Sequence, residues 1–129
     1  MNKEEIYQKA KLINKLEPGI KPALLIVDLV NGFTDPDKPL GSDLSTVIDN
    51  TNLLISSCRL KKIPIIFCTI AYNQNSLDGG LWVKKAPAQA EFTYNSDLIK
   101  IDNRLNYSPM EDIYMEKKYA SSFFGTELA

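Results

Sequence analysis

Histidine is absent from the 129-residue chain. Neutral imidazole is the commonest transition-metal ligand and the usual general base near pH 7, so Ser-His and Cys-His catalysis within this chain are excluded. Cysteine is scarce: Cys58 and Cys68 are the two present, each inside an apolar stretch and neither in a CxxC spacing. That pattern gives neither a disulfide framework nor a zinc site, and it fits a reducing, cytoplasmic setting. Excess charge of either sign is lacking, with fifteen basic residues against sixteen acidic ones and a formal net charge of -1. No bulk field then draws phosphate backbones or anionic membranes, and nucleic acid is not an expected partner. No apolar run approaches the roughly 20 residues that cross a bilayer. The first residues, Met1-Asn2-Lys3-Glu4-Glu5, are polar or charged from the start. Neither a membrane span nor a secretory leader is expected.

What is present is a globular composition, 44% hydrophobic and 24% charged, enough for one domain. Ile6, Ala10 and Ile13, with Tyr7, recur at helical spacing among Lys and Glu until Pro18-Gly19, which predicts a surface helix over Asn2 to Leu16. Ala23 to Leu29 is apolar on both faces of any strand until Asp28, the pattern of a buried parallel strand. Asn31 to Gly41, with Gly32, Pro36, Pro39 and Gly41, reads as a loop. Ser42 is then expected to cap a helix whose apolar positions run Leu44, Val47, Ile48, Leu54, Ile55 and Cys58. Ile63 to Ile70 is a second doubly apolar strand, and strand, helix and strand in that order make a βαβ unit.

Tyr72 to Thr93 is too long for a simple connection and reads as a pocket wall, with a helical turn after Ser96. Asp112 to Glu116 is the third strand, and Ser121 or Thr126 is expected to open a helix near Phe123. The fold class is therefore α/β, a three-layer Rossmann-like parallel sheet that is incomplete, with about three strands where a doubly wound sheet has about six.

Asp28 closes an apolar strand at the edge where open α/β sheets bind ligands. Lys117 and Lys118 follow the third strand, so one of them can stand beside Asp28 as an acid/base pair awaiting a nucleophile. The plainer alternative is that Asp28 caps the next loop and the lysines are solvated. Phe33, Tyr72, Trp82 and Tyr119 are aromatics on loops near the strand ends and are candidate walls of a small-molecule pocket. For Trp82, packing between subunits is the other reading. Phe123-Phe124 reads as the buried start of a helix, or as an association surface if left uncovered. Cys58 and Cys68 read as small buried hydrophobes.

Two segments carry a resemblance. Leu25-Ile-Val-Asp-Leu-Val-Asn-Gly-Phe-Thr-Asp-Pro36 and Lys117-Lys-Tyr-Ala-Ser-Ser-Phe-Phe-Gly-Thr-Glu-Leu128 resemble the isochorismatase-like cysteine hydrolases, and within them the N-carbamoylsarcosine amidohydrolase branch. Pro64 to Thr69 and Asp78 to Trp82 are similar to that branch's second strand and pocket loop, so the resemblance spans nearly all of residues 20 to 129. It implies that Asp28 is the general base, with Asn31 and Phe33 completing its motif. It implies that Lys117, rather than Lys118, is the catalytic lysine when Ser121, Phe123, Phe124, Thr126 and Leu128 are held in register. It also implies hydrolysis of a C–N bond in a small amide or carbamoyl substrate, by a cysteine nucleophile that lies in a later part of family members.

On this reading residues 1–129 are the N-terminal part of a single isochorismatase-like hydrolase domain. The chain is expected to be inactive alone, and to work as a homo-oligomer or with a complementary C-terminal half. The alternative is a degenerate or split-chain binding and assembly module without catalysis. No cofactor and no metal are expected.

Overall fold

The computed structural model of the chain describes residues 1–12 and 16–129. Helix α1 (Lys3–Lys9) opens on a capping box, in which Asn2 accepts from the Glu5 amide and Glu5 accepts from the Asn2 amide. It is shorter than the helical periodicity predicts and buries no residue. Ile13, counted in its apolar stripe, lies outside the described residues.

Strand β1 (Leu24–Val27) is followed by one turn of helix, α2 (Asn31–Thr34), inside the segment expected to be loop throughout. The turn forms because Gly32 lets it press onto the Phe92 ring: a Cβ at Gly32 would stand 2.4 Å from that ring. Helix α3 (Ser45–Leu60) starts three residues after the expected cap Ser42. Asp43, not Ser42, accepts the hydrogen bonds of the Ser45 amide and hydroxyl. That contact holds the Asp43 carboxyl below its ordinary range. Strand β2 (Ile65–Ile70) follows, then the long connection, which holds helix α4 (Gly80–Lys85) between two short 3-10 turns. The turn after Ser96 forms at Asp97–Ile99, capped by the Ser96 hydroxyl. Strand β3 (Ile113–Lys117) ends on Lys117 instead of before it. The helix expected near Phe123 is replaced by turns that leave Phe123 and Phe124 62% and 63% exposed.

The three strands are parallel in the order β1-β2-β3, with Leu24 opposite Ile65, Ile66 opposite Ile113 and Ile70 opposite Lys117. This is the α/β arrangement with an incomplete sheet that the apolar runs predict. Leu24 and Ile26 of β1 and Ile65 and Phe67 of β2 pack against Ile48 and Ile55 of α3 and against Leu105. A second cluster, Val30, Ile70, Ala71, Tyr72, Phe92 and Ile99, sits at the carboxyl ends of the strands and fixes the long connection there. No described helix is long and apolar enough to cross a membrane.

Candidate active site at the carboxyl ends of the strands

Adjacent parallel strands end level with one another, so the ends of β1 and β3 can present side chains to a common point above β2. Lys117, the last residue of β3, is 2% exposed in its side chain, and its Nζ lies 2.8 Å from Asp28 Oδ2. The same ammonium donates to the carbonyls of Tyr119 and Ala120, at 3.2 Å each. All three N–H groups are thereby used, as burial of an ammonium requires. Asp28 is 28% exposed, and its other oxygen, Oδ1, is buried with no partner among the described residues.

The backbone at Asp28 explains how the carboxylate reaches that point. Its amide still bonds the Cys68 carbonyl of β2 at 2.8 Å, but its φ is +59°, in the left-handed region. Aspartate and asparagine tolerate that region better than other residues with a Cβ. The chain thus breaks out of the strand at this residue, and the Val30 amide bonds back to the Asp28 carbonyl at 2.9 Å. Asn31 then anchors the next turn through Nδ2 to the carbonyl and carboxylate of Asp97, at 3.2 and 3.1 Å. Below it Arg104 bridges Asp102 Oδ2 at 2.6 Å and the Thr34 carbonyl at 3.2 Å. The hydrogen bonds of Arg104 hold the Asp102 carboxyl down to about 2.

Cys68 lies in β2, opposite Val27 on one side and Met115 on the other, and is buried. Burial pushes its thiol pKa up, against the downward pull of a Ser122 hydrogen bond and the Lys117 charge. Cys58, half-buried on α3, packs beside the core on that side of the sheet. Neither position is that of an exposed, electropositive thiol.

The four aromatics separate. Phe33 stacks on Phe92, with ring centroids 4.7 Å apart. Tyr72, expected on a loop wall, is instead fully buried, and its hydroxyl has no hydrogen-bond partner among the described residues. Its phenol is pushed up to about 12, first by burial and then by the charges of Asp78 and Asp28. Trp82 on α4 packs partly against the upper cluster, with the Lys85 ammonium 5.8 Å from its ring centroid. Tyr119 is partly exposed and meets Phe124 edge to face at 4.9 Å.

Lys118 points elsewhere. It pairs with Asp78 at 3.0 Å, donates to the Ala71 carbonyl and to the Tyr94 hydroxyl, and lies over the Tyr94 ring. It therefore ties the long connection to the end of β3. Sequence reasoning missed this clamp; the available signal was Asp78 directly before the Gly79-Gly80 turn.

The isochorismatase domain model matches residues 22–129. N-carbamoylsarcosine amidase of an Arthrobacter species is 30% identical over 130 residues, covering 95% of this chain and 48% of that protein. Maleamate amidohydrolase of Pseudomonas putida is 31% identical over 113 residues, covering 86% of this chain and 53% of that protein. The chain spans about half the length of the curated relatives it matches. A cysteine hydrolase from Pseudomonas syringae pv. phaseolicola shares the fold, with a TM-score of 0.78 at 17% identity over 84% of this chain and 51% of that one. On these matches the chain belongs to the isochorismatase domain family.

Proposed function

We propose that this chain supplies the proton acceptor and the fixed cation for thiol-dependent hydrolysis of a C–N bond in a small amide or carbamoyl compound, the kind of substrate its relatives' names describe. The observation that carries the reading is the 2.8 Å pair of a fully buried Lys117 and a strand-end Asp28 whose Oδ1 is unpartnered. Strained backbone at a ligand-binding edge is a recurrent mark of function, and Asp28 has it.

In this mechanism the Asp28 carboxylate takes the proton of an incoming thiol, and the thiolate attacks the substrate carbonyl carbon. The tetrahedral adduct collapses with loss of the amine, to which Asp28 returns the proton, and water then releases the acid from the thioester. Lys117 keeps its three hydrogen bonds throughout; its task is to fix the carboxylate and to offset negative charge nearby. The nucleophile is supplied from outside these residues, since Cys58 lies on α3 and Cys68 is walled within β2.

On this reading Phe33, Trp82 and Tyr119 wall the substrate pocket. Tyr72 stands behind it as a buried support.

The test is turnover of N-carbamoylsarcosine and of maleamate. The purified chain should give none above background, and a complex with a nucleophile-bearing partner should gain it. In that complex Asp28→Asn and Lys117→Ala should each remove most of the activity. Turnover by the chain alone, abolished by Cys68→Ala, would overturn the assignment. Exposure of Phe123 and Phe124 favours an assembly module as the second reading, and full activity of the complex with Asp28→Asn would select it.

A further inference from the structure

We propose that Lys118 is a positioning residue for the substrate pocket: its ammonium clamps the connection after β2 to the end of β3 and so holds Trp82 in place. The proposal deepens the reading that Trp82 walls the pocket, and its test reads the clamp separately from turnover. Lys117 and Lys118 are neighbours in the chain, and successive residues along an extended strand point to opposite sides. Lys117 goes to Asp28. Lys118 pairs with Asp78 Oδ2 at 3.0 Å, donates to the Tyr94 hydroxyl at 2.9 Å and donates to the Ala71 carbonyl. All three of its N–H groups are used, and none is left for a substrate. Lys118 therefore acts through what it holds.

What it holds is both roots of the connection and its first turn. Ala71 leads into the connection, Tyr94 follows it, and Asp78 lies in the 3-10 turn Leu77–Gly79 that opens α4. The roots are joined to each other by the Tyr72 amide on the Phe92 carbonyl at 2.8 Å and the Tyr94 amide on the Tyr72 carbonyl at 3.0 Å. Between them the Ser76 hydroxyl donates to the Ala90 carbonyl at 2.6 Å. These bonds close the connection on itself without fixing it to β3. Among the described residues, Lys118–Asp78 is the one ion pair or hydrogen bond between residues 73–91 and the chain from β3 onward. Both oxygens of Asp78 also accept from the Asn73 amide, at 3.0 and 3.2 Å. Burial works to raise the Asp78 carboxyl, but the hydrogen bonds from Lys118 and that amide hold it below its ordinary range, and it stays ionised.

The clamped turn bears on the site. Gly79 lies so close to the Tyr72 ring that a Cβ there would stand 3.0 Å from it. Gly80, at φ +55°, faces the Tyr119 hydroxyl, 3.7 Å from where its Cβ would be. Tyr119 in turn gives its carbonyl to the Lys117 ammonium. The turn runs straight into α4, where Trp82 packs on the upper cluster.

Trp82 is the single tryptophan of the chain, so its fluorescence reports this connection. In Lys118→Met its emission should shift to the red and acrylamide quenching should rise. Hydrogen exchange at residues 76–85 should quicken about tenfold, with exchange in β2 and α3 unchanged. Lys118→Arg keeps a cation that can pair with Asp78 and should restore the unsubstituted spectrum. Lys38→Met, which removes the exposed pair with Asp35, should change neither signal. Unaltered Trp82 emission and exchange in a folded Lys118→Met would overturn the proposal, as would loosening spread equally over β2 and α3. If Lys118→Met fails to fold, Asp78→Asn reads the same clamp from its other side, and no loosening of residues 76–85 in that variant would be equally fatal. In a complex that turns over maleamate, Lys118→Met should raise KM about fivefold with kcat little changed, because Lys118 touches no reacting atom. Loosening as described without turnover in any complex would leave the clamp intact and remove the proposed function. Turnover with Trp82 unmoved by Lys118→Met would do the reverse.

Discussion

Replacing Lys117 by Met tests the central pair through stability, without any activity assay. The ammonium is 2% exposed and makes three hydrogen bonds, to Asp28 Oδ2 at 2.8 Å and to two carbonyls at 3.2 Å. Removing one partner of a buried ion pair costs about 3–5 kcal/mol. Asp28 is 28% exposed, so water can solvate part of the abandoned carboxylate and the lower end, about 3 kcal/mol, applies. With a urea m-value of about 1.5 kcal/mol/M for a chain of this size, the midpoint should fall by about 2 M. Asp28→Asn keeps a hydrogen bond from Lys117 to the amide oxygen but leaves the buried ammonium without its counter-charge, so its cost falls in the same range, about 3–5 kcal/mol. Equilibrium urea unfolding followed by circular dichroism measures both. A Lys117→Met shift under about 0.5 M would refute the buried placement of the ammonium.

Asp102 should make stability fall in acid. Its folded-state pKa of about 2 lies below the unfolded value of 3.8, so the stabilisation is present above about pH 4 and is lost as pH falls toward 2; it is on the order of 2 kcal/mol. Urea midpoints against pH for the unsubstituted chain and Asp102→Asn should differ above pH 4 and converge near pH 2. Gly32→Ala would drive a methyl to within 2.4 Å of the Phe92 ring and 3.1 Å of Leu98, an overpacking worth about 1–3 kcal/mol. An unchanged melting temperature would show that α2 does not press on Phe92 as described. Cys68 should resist Ellman's reagent at pH 7.5 until the chain unfolds, because it is buried with a raised pKa; rapid labelling in the folded state would contradict the packing of β2.

The sequence by itself determined the three strands, the crossover helix and the family. A doubly buried parallel strand must be apolar on both faces, and that requirement is written locally in Leu24–Val27 and Ile65–Ile70. It also marked Asp28 as the polar residue closing an apolar run, and the register of the C-terminal motif favoured Lys117 over Lys118. The structure brings Lys117 to Asp28 and sends Lys118 to Asp78.

Tertiary structure alone decided the rest. Where α3 begins depends on whether Asp43 or Ser42 faces the first free amides, a contest between neighbours that no spacing rule resolves. α2 exists because Gly32 meets a ring sixty residues away in the chain. Tyr72 is fully buried and not a pocket wall because the segment after β2 turns into the upper cluster. Phe123 and Phe124 lie exposed because no described element packs over them to hold a helix there. Apart from the start of α3, these outcomes turn on the packing of residues distant in sequence, whose free energies are comparable to the local preferences they override.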